Sequence, residues 1–233
     1  MELEARPPKQ ATEVRQAGLV AAALRLAAER TPADITTADL ARAVGITQGA
    51  VFRHFASKET IWLAVLDWVT VTLLTRLQEA ATGSGEQPQV FPEGQSEPCG
   101  GTARVPPPFH ALQAMFTAHV DFVMEHPGVP RVIFQELQHT DDTPLKTRVR
   151  SLMQQYRMLV MGQLQHAQAQ NLLVASTDLQ AAAVLFLGAV QGLVMQAMVG
   201  GQIQSMAVQA SAVFAIYLRG ITRTTPPHLE TTP

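Results

Sequence analysis

A single cysteine, Cys99, is all the sequence holds, and it stands in a Gly/Pro-rich stretch. One thiol closes no internal disulfide and cannot furnish a multi-cysteine zinc site. A reducing cytoplasm is the expected compartment. Charge is sparse as well: charged residues make up 15% of the 233, and the formal net charge is -2. Nothing in that total draws the chain to a polyanion, so any affinity for nucleic acid has to come from where the charges lie. No nucleophile-base motif and no Gly-rich phosphate loop is present, and His110, His119 and His126 make no convincing metal set. The expectation is a protein that is not an enzyme and has no cofactor or metal. The first 29 residues carry Glu2, Glu4 and Glu13 and lack an apolar core ending in a cleavage site, which argues against a secretory signal.

Hydrophobic residues reach 47%, enough to bury a core. One stretch, from Ala181 to Gly200, is apolar apart from Gln191 and Gln196 and has the length of a membrane span. Spanning helices usually have basic flanks; here Asp178 precedes and Gly201-Gln202 follows. Two mid-helix glutamines without anchors fit a buried protein interface better, so no membrane is expected.

Periodicity is helical almost throughout, and no alternating β-branched run argues for a sheet; the expected class is all-α. Val20, Ala23, Leu24 and Ala27 give one buried face to a helix over Thr12 to Arg30. Thr36 with Asp39 three residues later starts a short second helix, and Gly45 closes it in the left-handed conformation. Thr47 caps a third helix running to about Phe55. Ser57 caps a long fourth, apolar around most of its circumference and hence expected between two domains. Gly83 to Pro108 reads as a mobile loop and the chain from Thr222 as a flexible tail. Between them lie helices over Leu112 to Val123, about Pro130 to His139, a long one opened by Thr143-Pro144, about Asp178 to Val199, and about Ser205 to Arg219. The expected domains are 10–60, a helix-turn-helix head, and 61–221, a larger helical domain for ligand binding and dimerisation.

The head carries the function. In Thr36 to Phe55, Ala41 lets two helices pack closely, Gly45 makes the turn, and Leu40, Ile46 and Val51 bury the corner. The continuation Gly49-Ala50-Val51-Phe52-Arg53-His54-Phe55-Ala56-Ser57-Lys58-Glu59 resembles the signature of the TetR family of bacterial regulators over about Val14 to Leu66. The resemblance implies a homodimer on double-stranded DNA, a divergent C-terminal domain for a small-molecule effector, and repression of a palindromic operator relieved by that effector. Carried over by position, Gln48, Ala50 and Phe52 face base edges, Gly49 allows close backbone approach, Thr36, Thr47, His54 and Lys58 meet phosphates, and Arg53 does either. Glutamine bonds adenine in bidentate fashion, and alanine or phenylalanine contacts a thymine methyl. Two positions depart from the family: Phe52 stands where tyrosine is frequent, and Gln48 where lysine is frequent. From Met1 to Glu59 there are eight Lys/Arg and seven Asp/Glu, so attraction rests on the cluster Arg53, His54 and Lys58.

Beyond the head the residues leave alternatives open. Gly188 and Gly192 lie four apart on one helix face, suited to close helix approach; the reading is a dimer interface, the alternative packing within one chain. The resemblance implies a dimeric four-helix bundle from the last two helices of each chain. His119 on an apolar stripe is either a hydrogen-bonded core histidine or a ligand contact. Phe122, Phe134, Met153 and Tyr156 are either plain core or the walls of a pocket. A rival function keeps the DNA-binding head and gives the C-terminal domain a protein partner, or dimerisation alone.

Overall fold

The computed structural model describes residues 12–83 and 107–223. The expected loop over 83–108, with Cys99, and the expected tail over 222–233 fall almost wholly outside these residues. Among the described residues nine α-helices follow in order: α1 Thr12–Glu29, α2 Thr37–Ala43, α3 Gln48–Val51, α4 Lys58–Thr82, α5 Pro107–Glu125, α6 Gly128–Leu137, α7 Pro144–Ala169, α8 Leu179–Val199 and α9 Met206–Ile221. Among the described residues the sole β feature is an isolated bridge between Leu173 and Thr222. The protein is all-α.

Local chemistry sets the helix ends. The Thr36 hydroxyl accepts from the Asp39 N–H at 3.1 Å while the Asp39 carboxylate accepts from the Thr36 N–H at 2.9 Å, a complete capping box for α2. At its other end Gly45 has φ +68°, and the Ile46 N–H donates back to the Ala41 carbonyl at 2.9 Å, so the helix closes with a Schellman turn. Thr47 caps α3. The α-helix ends at Val51, earlier than the sequence suggests, and tighter turns carry the chain to Phe55, with Arg53 and His54 donating to Ala50 and Val51 carbonyls. Ser57 and Thr60 exchange hydroxyl-to-N–H bonds at the start of α4. Thr143 caps α7 through the Lys146 N–H at 2.9 Å, and Asp178 caps α8 through Gln180 and Ala181.

The helices form two compact units. Of the described residues, the first comprises 12–72 together with 125–152, the second 73–83, 107–124 and 153–223. In the first, Leu19, Ala23, Ile35, Leu40, Val51, Ile61 and Val65 are fully or almost fully buried. Within it α1 packs along α6, and a 3-10 turn at Pro32–Asp34 is tied to α6 by the Ala33 N–H donating to the Gln135 side chain at 2.8 Å. The second unit has an aromatic core: Phe116, Phe186, Phe214 and Tyr217 meet in edge-on and tilted pairs with centroids 5.5–6.5 Å apart. Both α4 and α8 are long and apolar enough to cross a bilayer by length and composition. In α8 that apolarity has a different use on one side, where Ala183, Phe186, Val190 and Val194 are buried and α9 packs against the helix.

Candidate nucleic-acid interface

The segment from Thr36 to Lys58 is held from beneath and left open above. Leu40, Ala41, Val51 and Phe55 are buried, and α2 packs on α3. On the other side Thr36, Thr47, Gln48, Gly49, Phe52 and Arg53 are exposed, Ala50, His54 and Lys58 half-buried. Phe52 keeps 49% of its surface in water, a position no core residue holds. The nine residues singled out in the head thus lie within one capped helix pair and its flanks.

Several of them already have partners. The Gln48 amide donates to the Thr37 hydroxyl at 2.8 Å, which fixes its side chain against α2. The Lys58 ammonium donates to the Ala33 carbonyl at 2.6 Å, and partial burial lowers its pKa from the usual lysine value. The Thr36 hydroxyl donates to the Asp39 carboxylate at 2.7 Å. Asp39 also receives Arg30 and Arg42 at 3.4 and 3.3 Å; the Thr36 bonds first, and the arginine second, hold its carboxyl well below the ordinary range. Arg53 makes no side-chain hydrogen bond or ion pair among the described residues. The His54 carbonyl accepts from the Gln16 amide of α1 at 2.9 Å, while its Nδ1 is buried and has no hydrogen-bond partner among the described residues. Gln16 and Thr37 are absent from the sequence reading. Gln16 lies 38 residues from His54, beyond any helical spacing that a pattern reveals.

Residues 19–65 match the bacterial regulatory proteins of the tetR family, and residues 108–213 match the tetracyclin repressor-like C-terminal domain. The chain belongs to the tetR family of bacterial regulatory proteins. A nucleoid occlusion factor SlmA, from Glaesserella parasuis serovar 5, is 24% identical over 131 residues, which cover 56% of this chain and 54% of that protein. The chain therefore spans about half the length of that curated relative. The transcriptional regulator FadR of Bacillus subtilis, in complex with stearoyl-CoA, has the same fold at TM-score 0.69 and 15% identity, over 88% of this chain and 98% of that one. The ketosteroid transcriptional regulator KstR2 of Mycobacterium tuberculosis aligns at TM-score 0.66 and 20% identity, over 96% and 98%.

In the second unit of this tetR-family chain, His119 Nδ1 and the Tyr156 hydroxyl are 3.1 Å apart and both residues are buried. Phe122 is buried on α5 with the Arg76 guanidinium 5.5 Å from its ring centroid. Met153 is half-buried, and its sulfur accepts from the Gln191 amide at 3.5 Å. Phe134 belongs to the first unit. Of the three histidines weighed as a metal set, His110 is exposed, His119 buried and His126 half-buried, and no group of three metal-ligating side chains occurs among the described residues. The Tyr217 hydroxyl is buried with no hydrogen-bond partner among the described residues, and burial raises its pKa.

Burial pushes His119 down from 6.5 to about 4, so the folded protein holds the ring neutral. Between those values the unfolded chain binds a proton that the folded chain does not. Stability from this group is complete above pH 6.5 and is lost as pH falls toward 4, by about 3 kcal/mol in all. Urea unfolding across pH 4 to 7 should show this slope, and His119→Phe should flatten it while lowering stability at pH 7, since Tyr156 loses its partner. Equal slopes in the two proteins would mean that the ring takes up a proton while folded.

The outer face of the last two helices is apolar. Val184, Leu185, Met195 and Val199 of α8 and Val208 and Ile216 of α9 are exposed, Val199 and Val208 by 79% and 82%. Gly188 and Gly192 lie on the same face, and a methyl group built on either would meet nothing within 4 Å among the described residues.

Proposed function

We propose that this chain is a repressor that binds a palindromic operator as a homodimer and is released from it by a small molecule. The observation that carries the reading is the capped α2–α3 pair, which presents Gln48, Phe52 and Arg53 to solvent inside the stretch that matches the family. In this reading Gln48, Ala50 and Phe52 touch base edges, and Gly49 allows close approach of the backbone. Thr36, Thr47, His54 and Lys58 touch phosphates, and Arg53 serves either purpose. Two heads read half-sites spaced by one helical turn of DNA, about 34–36 Å, or a multiple of it. The protein works in the cytoplasm as a binding protein, without an enzymatic step.

Selection of bound sequences from a random DNA pool tests the reading: an inverted repeat should emerge, and enrichment of no sequence would overturn it. Gln48→Ala should relax preference at one base pair per half-site, a loss of roughly 1–3 kcal/mol of discrimination. The same selection repeated on the variant measures this, and unchanged preferences would remove Gln48 from the reading set.

For the effector, the fold of FadR, with its stearoyl-CoA, and of KstR2, a ketosteroid regulator, supports a small molecule in the C-terminal domain. His119, Phe122, Met153 and Tyr156, all of the second unit, are its proposed contacts; Phe134 lies in the first unit and is left out of the set. An effector acts only through unequal affinity for the DNA-bound and free states. The likeness to a nucleoid occlusion factor favours a second reading, in which the C-terminal domain serves a protein partner or only dimerises. A library of small apolar molecules separates the two: any that releases DNA supports the first, and uniform failure supports the second.

A further inference from the structure

The first unit contains a cavity of about 380 Å³ that none of the roles above uses. Its floor is one face of α1, where Ala17, Val20, Ala21 and Leu24 offer short side chains on successive turns. Trp68 of α4 forms a wall, and the end of α5 brings Glu125 and His126 to the rim. The volume falls within the 300–1,000 Å³ range of small-molecule sites. At the 30 Å³ or so that a water molecule takes in the liquid, it holds roughly a dozen non-hydrogen atoms.

Charge at the rim selects the occupant. Glu125 Oε2 lies 3.8 Å from His126 Nε2, and the His126 ring stands edge-on to Trp68 with centroids 5.0 Å apart, so both are engaged with neighbours. Arg25, on the same turn of α1 as the floor, is exposed and makes no side-chain hydrogen bond or ion pair among the described residues. A guanidinium grips a carboxylate with two parallel bonds, and a neighbouring apolar wall strengthens the contact by excluding water. We propose that this cavity binds a small molecule with an apolar body and a single anionic head, the body lying on the alanines of α1 and on Trp68, the head on Arg25.

Calorimetric titration of the 233-residue chain with octanoate, octanol and octylammonium tests this, alongside Arg25→Gln and Ala21→Leu. Both replaced residues are exposed positions inside α1 and both replacements are good helix formers, so the fold should persist, as circular dichroism will report. Octanoate should bind once per chain. Arg25→Gln should weaken it at least tenfold or so, the usual worth of a hydrogen-bonded charge. Octanol should bind more weakly and ignore that replacement, and Ala21→Leu should abolish both. Absence of octanoate binding at millimolar concentration would overturn the proposal. Octylammonium binding as tightly as octanoate would overturn it too, by making Glu125 the anchor. Octanoate binding that survives Ala21→Leu would place the ligand elsewhere, the proposed effector pocket included. DNA binding by the unliganded protein is measured in parallel; its failure would strike the repressor reading and leave the cavity standing.

Discussion

Replacing Gly188 and Gly192 together with leucine should yield a folded chain that no longer dimerises and whose operator affinity falls by a factor on the order of 10²–10⁴, the avidity lost when two linked heads become one. A glycine in a helix interior is destabilising by about 1 kcal/mol relative to alanine, and α8 holds two of them on its exposed face. Within one chain neither is needed for close packing, because a Cβ at either position would meet nothing within 4 Å. What explains them is a second helix brought close, which small residues permit, amid exposed Val184, Leu185, Met195 and Val199 that gain by being covered. Leucine restores helix propensity, so the variant chain should fold at least as well as the native one while its bulk holds the partner away. Light scattering and thermal unfolding together make the test. An intact dimer would move the interface off this face, and loss of dimer with palindrome affinity retained would dismiss the two-headed reader.

The sequence made the helix-turn-helix visible because its determinants are local. The Thr36–Asp39 capping box, the positive-φ Gly45 and the Thr47 cap each involve residues no more than five apart. Such contacts leave a pattern along the chain. The bonds that fix the head in place leave none: Gln16 to His54 spans 38 residues, Lys58 to Ala33 spans 25, and Ala33 to Gln135 spans 102. Amphipathic spacing also tells which face of a helix is apolar without telling what covers it. For that reason the dimer interface read at Gly188 and Gly192 keeps packing within one chain as its alternative in the sequence; among the described residues of the folded chain, a Cβ at either would meet nothing within 4 Å. His119 was ambiguous for a related cause. Its apolar stripe predicts burial, but the partner, Tyr156, comes from another helix 37 residues away.

The steepest loss of stability should come from the smallest change, Gly128→Ala. Gly128 opens α6 where that helix packs on α1, and it is buried. A methyl group there would run into the Leu24 carbonyl oxygen and stand 2.9 Å from the Ala28 nitrogen and 3.1 Å from the Ala27 Cβ. The first two are backbone atoms inside α1, which cannot turn aside as a side chain does, so the two helices must separate. Overpacking of this kind costs about 3 kcal/mol, at the upper end for one added carbon. Gly18→Ala in α1 supplies the control, since its methyl would meet nothing within 4 Å and a helical glycine gives way to alanine with a gain of about 0.5–1 kcal/mol. Urea midpoints for the two variants should therefore move in opposite directions. A shift in α6 also reaches the reading head, because Gln135 of that helix accepts from the Ala33 N–H, and the Ala33 carbonyl in turn accepts from Lys58. Gly128→Ala should accordingly weaken DNA binding even under conditions where the protein stays folded, whereas Gly18→Ala should not. Equal midpoints for Gly128→Ala and the native protein would show that α1 and α6 are less closely opposed than these distances require.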